Sequence, residues 1–254
     1  MVILFARNIV KIYGELENEN STTALNGVNL SIKKGEFIAI MGPSGSGKST
    51  LLNVLSGIDK PTSGDVTIDG EKISEMTGDK LALFRRKQLG FVFQDFNLLD
   101  SLTVRENIIL PMVLERKTVT EMDTRVNSLA SLFGIESILD KYPYQISGGQ
   151  QQRTAVSRAL VNEPRIILAD EPTGNLDSKS SEIIMECFKK AAYELSTTVL
   201  LVTHDVFAAS HCQKVVFFRD GSIYSSITKN GSRKEFLDQI MNSQPILGGR
   251  TDVF

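Results

Sequence analysis

The fold of this chain is decided at residues 42–49, which read Gly42-Pro43-Ser44-Gly45-Ser46-Gly47-Lys48-Ser49 and directly follow the apolar run Phe37-Ile38-Ala39-Ile40-Met41. This order predicts a buried strand that leads through a glycine-rich turn into a helix. Glycines allow consecutive backbone N–H groups to face one anion, and the N-terminus of the new helix adds its positive end. A loop that merely closes a βα unit is the alternative, and the eight-residue pattern in this context disfavours it. The stretch therefore predicts a phosphate-binding loop.

Two residues of this loop have defined chemical roles. Lys48 is long enough to reach the outer phosphates, and the hydroxyl of Ser49 is a suitable ligand for Mg²⁺. We therefore expect the chain to bind a nucleoside triphosphate together with Mg²⁺. The other residues that we expect to line the phosphates are Gly42, Ser44, Gly45, Ser46, Gly47 and Thr50.

The composition is that of an ordinary globular protein without a strong charge. Of 254 residues, 41% are hydrophobic, and 28 basic residues against 30 acidic ones give a net charge of −2. This balance excludes a broad attraction to nucleic acid or anionic lipid. No apolar run approaches the roughly 20 residues that cross a bilayer, and the first residues do not resemble a secretory signal. Cys187 and Cys212 lack metal-ligand spacing, as expected of thiols in a reducing compartment. We expect a cytosolic location.

The hydrophobic pattern predicts an α/β fold. Residues 2–12 and 24–32 read as the strands of a hairpin, joined by the polar, acidic stretch 15–21. From about residue 98 to 160 the period is helical, which indicates a mainly helical insertion. Strands and helices then alternate as in a parallel sheet. The further elements that we predict are helices near 48–57, 178–194, 205–211 and 233–242, and strands at 89–93, 165–169, 197–202 and 214–218.

A pair of carboxylates, Asp170 and Glu171, follows a run of four apolar residues at the end of a predicted strand. There, Asp170 would hold Mg²⁺ beside a phosphate loop. Glu171 would accept a proton from the water that attacks the γ-phosphate. For an isolated pair a solvated strand end would be the better interpretation, but the upstream phosphate loop favours catalysis.

A second anion site is predicted at the start of the helix that follows Ile146. Ser147 is a natural N-cap, and Gly148 and Gly149 leave backbone N–H groups uncovered, with Gln150 next in the chain. The stretch Ile146-Ser147-Gly148-Gly149-Gln150-Gln151-Gln152-Arg153 resembles the signature motif of the ATP-binding cassette family, except that Ile146 replaces the more common leucine.

The resemblance extends from Tyr13 to about residue 228 and assigns roles to four more residues. Tyr13 resembles the aromatic residue that stacks on adenine, and Gln94 resembles the glutamine that joins Mg²⁺ to the surface contacting the membrane partner. Asp177 lies in a stretch similar to the loop that crosses between subunits, and His204 is similar to the switch histidine that contacts the γ-phosphate. Without the resemblance, Tyr13 would more often be a core residue, Gln94 a solvated amide, Asp177 a helix cap and His204 a structural residue.

The resemblance implies a P-loop NTPase fold with a parallel core sheet, an antiparallel β subdomain and an inserted α-helical subdomain. It places the ATPase domain at residues 1–228, with the helical subdomain at about 95–160. Residues 229–254 would form an extension with a short amphipathic helix, in which Phe236, Leu237, Ile240 and Met241 share one stripe.

The same resemblance implies a mechanism and partners. Two copies of the chain would bind ATP head to tail, with the phosphate loop of one facing residues 147–149 of the other. Hydrolysis would then drive a separate integral membrane permease, and a sensor kinase could be reached through that permease. The chain would lie at the inner face of the cell membrane.

The motifs around Gln94 and Asp170 are similar to those of the branch that contains lipoprotein-release, macrolide-export and cell-division ATPases. The stretches Asp140-Lys141-Tyr142-Pro143 and Ile246-Leu247-Gly248-Gly249 are most similar to bacitracin- and lantibiotic-resistance ATPases. Resistance to peptide antibiotics is therefore the expected function. The alternatives are a cell-division ATPase that regulates wall hydrolases, a lipoprotein-release ATPase, a soluble cassette protein of DNA repair or translation and, least favoured, a small-molecule kinase.

Overall fold

The computed structural model describes residues 1–14 and 21–243. The chain divides into two compact units, the first formed by Met1–Met76 with Leu200–Phe254 and the second by Thr77–Val199. Most of the predicted acidic hairpin loop and the whole stretch 246–249 lie outside the described residues. The predicted domain division at residue 228 stays a prediction.

The strands are β1 (Val2–Tyr13), β2 (Thr22–Lys33), β3 (Phe37–Met41), β4 (Ser63–Ile68), β5 (Glu71–Lys72), β6 (Leu89–Val92), β7 (Ile166–Asp170), β8 (Thr198–Thr203), β9 (Lys214–Arg219) and β10 (Ser222–Thr228). The helices are α1 (Lys48–Leu55), α2 (Gly78–Gln88), α3 (Val104–Leu114), α4 (Val119–Phe133), α5 (Gly148–Leu160), α6 (Ser178–Tyr193), α7 (Val206–Ser210) and α8 (Arg233–Ser243). The α/β fold predicted from the sequence is confirmed.

The first unit contains the antiparallel part of the predicted fold. Strands β2, β1, β4 and β5 form one sheet in that order, and Ala6 of β1 pairs with Leu30 on one side and Val66 on the other. Strand β3 pairs in parallel with β9, which pairs antiparallel with β10. Every residue of β3 is buried. This strand therefore fixes the start of the phosphate loop firmly.

The second unit combines two parallel strands with helices. Strand β6 pairs in parallel with β7, and Gly90 lies opposite Ile167. A side chain at Gly90 would overlap the carbonyl oxygen of Ala159, so glycine allows α5 to approach β6 closely. Helices α3 and α4 each begin with a capping box, formed by Thr103 with Glu106 and by Thr118 with Glu121 respectively.

The C-terminal helix and the last strand differ from the predictions. In α8, Phe236 and Ile240 are buried, but Met241 is 54% exposed, so the predicted apolar stripe is narrower than expected. Strand β10 was not predicted, because its sequence is polar and most of its residues are at least partly exposed. Across the described ranges, no helix is both long and apolar enough to cross a membrane.

Candidate nucleotide-binding site

The phosphate loop in the first unit depends on glycine at three positions. Gly45 and Gly47 have φ angles of 76° and 98°, in the region that side chains disfavour. At Gly42 a Cβ atom would overlap the carbonyl oxygen of Phe218. The loop therefore adopts a backbone path in which its N–H groups can converge on an anion.

Lys48 is folded back over this loop. Its side chain is buried, with the residue 7% exposed, and Nζ donates hydrogen bonds to the carbonyl oxygens of Gly42 at 2.9 Å and Pro43 at 2.8 Å. The first turn of α1 contains no acidic residue. The ammonium group and the positive end of α1 therefore lie at the same loop, and both favour a bound anion.

Two hydroxyls of the loop differ in their surroundings. The Oγ atom of Ser46 is buried and has no hydrogen-bond partner in the part of the chain that the structure describes. Ser49, in the first turn of α1, is exposed. A buried hydroxyl without a partner is costly unless a ligand or water satisfies it, which fits a phosphate-binding role.

Tyr13 ends β1 and is 42% exposed. Its hydroxyl donates to Oδ2 of Asp59 at 2.7 Å, and Nζ of Lys11 lies 4.7 Å from the ring centroid. Burial and the hydrogen bond to Asp59 raise the pKa of Tyr13, and a hydrogen bond with Thr50 partly opposes this. Burial works to raise the pKa of Asp59, but hydrogen bonds from Lys11 and Tyr13 outweigh it and hold the pKa below its usual range.

The two histidines have different positions. His204 directly follows β8 and is exposed, while the next residue, Asp205, caps α7 by accepting from the backbone N–H of Phe207 at 2.8 Å. His211 is buried, with Nε2 at 2.8 Å from Nη1 of Arg233. His211 is therefore part of the packing of the first unit, and the role of His204 toward a γ-phosphate stays a prediction.

In the second unit, Asp170 ends β7 and Glu171 follows it in a strained conformation. Glu171 has φ of 45°, a region that costs a non-glycine residue roughly 1–2 kcal/mol. Its carbonyl oxygen accepts from the N–H of Gly174 at 2.9 Å, which closes a tight turn. Strain of this kind is often retained where a side chain must take one particular direction.

Gln94 lies shortly after β6 and is exposed. Its Nε2 donates to Oδ1 of Asn175 at 3.1 Å, while Nδ2 of Asn175 donates to the Gln94 carbonyl oxygen at 3.3 Å and to Asp95 at 2.8 Å. Both of these partners can only accept, so the orientation of the Asn175 amide is determined, and Asn175 must offer its oxygen to Gln94. Gln94 therefore uses its nitrogen here, and its Oε1 is the atom suited to a cation.

Ser147 is the N-cap of α5, as predicted. Ser147 Oγ accepts from the N–H of Gln150 at 3.4 Å, and Oε1 of Gln150 accepts from the N–H of Ser147 at 2.9 Å. A Cβ atom on Gly149 would lie 2.9 Å from Oγ of Ser180 in α6. Glycine at 149 therefore also allows two helices to pack closely, which the sequence did not predict.

Asp177 is the N-cap of α6. Its carboxylate accepts from the backbone N–H of Ser180 at 2.9 Å and from the Ser180 hydroxyl at 2.7 Å. These hydrogen bonds, the backbone one first, lower the pKa of Asp177. The capping role that the residue type favours is therefore present, and the predicted contact with a second subunit stays a prediction.

Sequence reasoning missed two polar residues of α5, the buried Gln152 and the partly buried Arg158, that hold the segments around the site. Gln152 donates from Nε2 to the carbonyl oxygens of Phe93 at 3.2 Å and Pro172 at 2.6 Å. Arg158 donates to the carbonyl oxygens of Phe96 at 2.9 Å and Asn97 at 2.5 Å, and burial lowers its pKa. A polar residue on the buried face of a helical pattern was the signal available in the sequence.

The sequence profile of the ABC transporter family matches residues 25–174. Among individual proteins, the chain is 49% identical over 249 residues to an uncharacterized ABC transporter ATP-binding protein, YvcR of Bacillus subtilis, covering 98% of this chain and 96% of that protein. It is 47% identical over 250 residues to the bacitracin export ATP-binding protein BceA of Halalkalibacterium halodurans, covering 98% of each.

A solved structure gives the same result. The ATP-binding cassette MJ0796 of Methanocaldococcus jannaschii, in a dimeric post-hydrolysis state with ADP and Pi, superposes with a TM-score of 0.82. The two chains are 42% identical, and the match covers 91% of this chain and 100% of MJ0796. The chain binds ATP and is an ATPase, and it belongs to the ABC transporter family as an ATP-binding subunit.

Proposed function

We propose that this chain hydrolyses ATP as a dimer and thereby drives a separate membrane permease that protects the cell from peptide antibiotics directed at the cell wall. The observation that carries the proposal is that two helices have glycine at their N-terminus, Gly47 as the N-cap of α1 and Gly148 and Gly149 as the first residues of α5, and that neither helix has an acidic residue in its first turn. Both helix N-termini favour an anion. One chain thus offers two helix N-termini that can bind phosphate. In a sandwich dimer, the N-terminus of α1 in one chain and that of α5 in the other chain would lie on opposite sides of the nucleotide.

We assign Mg²⁺ to oxygen donors, which this hard cation prefers. The donors are the exposed hydroxyl of Ser49, the carboxylate of Asp170 and Oε1 of Gln94, whose amide nitrogen is bonded to Asn175. These residues fit the ion by chemistry. When bound, Mg²⁺ would neutralise charge that develops on the phosphates.

Glu171 is assigned as the general base, because it follows a buried strand and is held in a strained conformation beside Asp170. Tyr13 would stack on adenine, His204 would contact the γ-phosphate, and Lys48 would contact the outer phosphates. Glu171→Gln is expected to lower turnover by roughly 10²–10⁴-fold while ATP stays bound. Turnover is measured with purified protein, and nucleotide retention is measured by filter binding. If Glu171→Gln, purified free of other ATPases, hydrolyses ATP at the wild-type rate, the assignment of Glu171 as the general base is wrong.

The proposed dimer can be tested with the same variant. Glu171→Gln with ATP and Mg²⁺ is expected to double in mass in light scattering, and adding Ser147→Arg should prevent this, because it places bulk and charge where backbone N–H groups must approach phosphate. The matched control is Tyr144→Arg, at an exposed position before the same helix. If Glu171→Gln stays monomeric with ATP and Mg²⁺, both alone and with its permease, the proposed sandwich dimer is wrong.

The permease is proposed to dock on the loop that carries Leu99, which is 47% exposed. The backbone of this loop is held by Asn107 of α3, whose Oδ1 accepts from the N–H of Leu99 at 2.8 Å. Other exposed apolar side chains of the second unit include Leu83, Val113, Leu114, Val119 and Ile183. Exposed apolar residues on a fixed backbone favour a protein partner. Through this partner the chain would reside at the inner face of the membrane, and a sensor kinase could be linked through it.

Leu99→Asp tests the docking surface. The chain should fold and bind ATP normally, but it should fail to purify with its permease and should confer the same antibiotic sensitivity as Glu171→Gln. Ile58→Asp, also at an exposed apolar position but in the first unit, serves as the control and should keep the permease. Normal association of Leu99→Asp would contradict the docking role.

The class of substrate is proposed from the likeness to BceA, a bacitracin export protein. A host that lacks this chain should become sensitive to bacitracin and to other peptides that bind cell-wall precursors. Unchanged tolerance together with abnormal division would favour the cell-division alternative, and mislocalised lipoproteins would favour the lipoprotein-release alternative.

A further inference from the structure

The side chain of Tyr13 is held at two points within the first unit. Its hydroxyl donates to Asp59 at 2.7 Å, and Nζ of Lys11 lies 4.7 Å from the ring centroid. The same Nζ donates to Oδ1 of Asp59 at 2.7 Å and to the carbonyl oxygen of Lys60 at 2.9 Å. The three side chains therefore form a closed triangle, in which Asp59 holds both the phenol and the ammonium group.

The ammonium group is well placed to act on the ring. The side chain of Lys11 is only 13% exposed, so its charge is partly removed from water. A cation over an aromatic face is attracted by the π electrons, and this attraction strengthens as the cation loses water. Lys11 covers one face of Tyr13, yet the residue as a whole is 42% exposed. This exposure leaves room for a flat ligand to stack on the ring.

We propose that Lys11 is a positioning residue for the adenine base, acting through the ring of Tyr13 on which the base stacks. The cation draws π electron density toward its own face, which makes the opposite face a better partner for an electron-rich purine. Because Asp59 fixes the ring before the nucleotide arrives, little side-chain freedom is lost on binding. This inference rests on the proposed role of Tyr13 in stacking on adenine.

Two simpler roles for Lys11 make different predictions. If its charge only attracted the phosphates, it would favour every polyphosphate equally, with or without a base. If it only stabilised the first unit through its ion pair with Asp59, its loss would lower stability without a preference among ligands. A role through Tyr13 requires that the effect be specific to ligands with a base and that it disappear when the ring is removed.

The experiment measures binding of ADP and of tripolyphosphate, which has no base, to the full chain by calorimetry. Lys11→Met keeps the length of the side chain without the charge, and it should weaken ADP binding by about three- to tenfold while tripolyphosphate binding is unchanged. Lys11→Arg restores a cation over the ring and should bind ADP nearly as wild type does. Lys34→Met, which removes an exposed charge from the same unit, should change neither affinity.

Kinetics and a double-mutant cycle complete the test. In Lys11→Met the KM for ATP should rise while kcat is retained, since a base contact affects binding rather than chemistry. In a Tyr13→Leu background, Lys11→Met should have no further effect on ADP. Three outcomes would each overturn the proposal. Lys11→Met could weaken ADP binding equally in the wild-type and Tyr13→Leu backgrounds, it could weaken ADP and tripolyphosphate binding equally, or it could tighten ADP binding.

The outcome with Tyr13→Leu alone separates this inference from the proposed function. If Tyr13→Leu binds ADP as wild type does, the proposed adenine contact is wrong, and the role of Lys11 is wrong with it. If Tyr13→Leu weakens ADP binding but Lys11→Met does not, the adenine contact stands and only the role of Lys11 is wrong. Thermal unfolding of each variant identifies any loss of ADP binding that comes from unfolding.

Discussion

Replacing Asn107 with alanine should loosen the loop on which permease docking is proposed. Asn107 is fully buried in α3. Its Oδ1 accepts from the N–H of Leu99 at 2.8 Å, and its Nδ2 lies 3.0 to 3.1 Å from the carbonyl oxygens of Leu99, Leu102 and Thr103. One side chain therefore holds both ends of the segment 99–103.

The expected cost follows from the partners that remain. The carbonyl oxygen of Leu99 still accepts from the N–H of Leu102, and that of Thr103 still accepts from the N–H of residue 107. The N–H of Leu99 and the carbonyl oxygen of Leu102 lose the bonds described above. Two such bonds at about 1 kcal/mol each, together with the space left by a buried side chain, give a loss of about 2–4 kcal/mol in the free energy of unfolding.

Urea unfolding measures this loss, and amide hydrogen exchange at Leu99 locates it. Asn107→Asp keeps the acceptor for the N–H of Leu99 but loses the donor, so it should protect that amide better than Asn107→Ala does. Asn127→Ala is the matched control, because Asn127 is exposed and accepts a single long bond from Arg105 at 3.4 Å. It should change stability by less than about 0.5 kcal/mol. If Asn107→Ala costs no more than the control, the reasoning from these hydrogen bonds is wrong.

Two further predictions follow from backbone geometry and burial. Gly47→Ala should abolish ATP binding in calorimetry, because φ is 98° and the new methyl group would overlap the carbonyl oxygen of Ala24. In Gly45→Ala the methyl group meets no atom within 4 Å, so this variant should weaken ATP binding less. Equal losses of ATP affinity in the two variants would contradict this. Burial raises the pKa of Cys187 to about 12 and that of Cys212 well above its usual range. Since the thiolate is the reactive form, neither thiol should react with a disulfide reagent at pH 8 in the folded chain, and both should react in urea; fast reaction of the native protein would refute their burial.

Much of the fold could be predicted because local sequence patterns decide it. The apolar run 37–41 predicted a buried strand, and the glycines after it predicted a turn into a helix, as α1 confirms. The serine at 147 predicted an N-cap, which the structure contains. Strand β10 was missed because its polar sequence lacks such a pattern. It forms a strand because it pairs with β9, and the local sequence does not show that pairing.

The site residues stay a prediction, which the sequence allows because the motifs are contiguous and their residue types are specific to phosphate chemistry. What the sequence by itself determined is therefore the set of segments that are expected to contact nucleotide. Only the tertiary structure decided how those segments are held. Lys11 meets Asp59, Gln152 meets Phe93 and Pro172, and Asn175 meets Gln94 across separations of 20 to 81 residues. These contacts depend on how the chain folds back on itself, and neither periodicity nor a local motif encodes them.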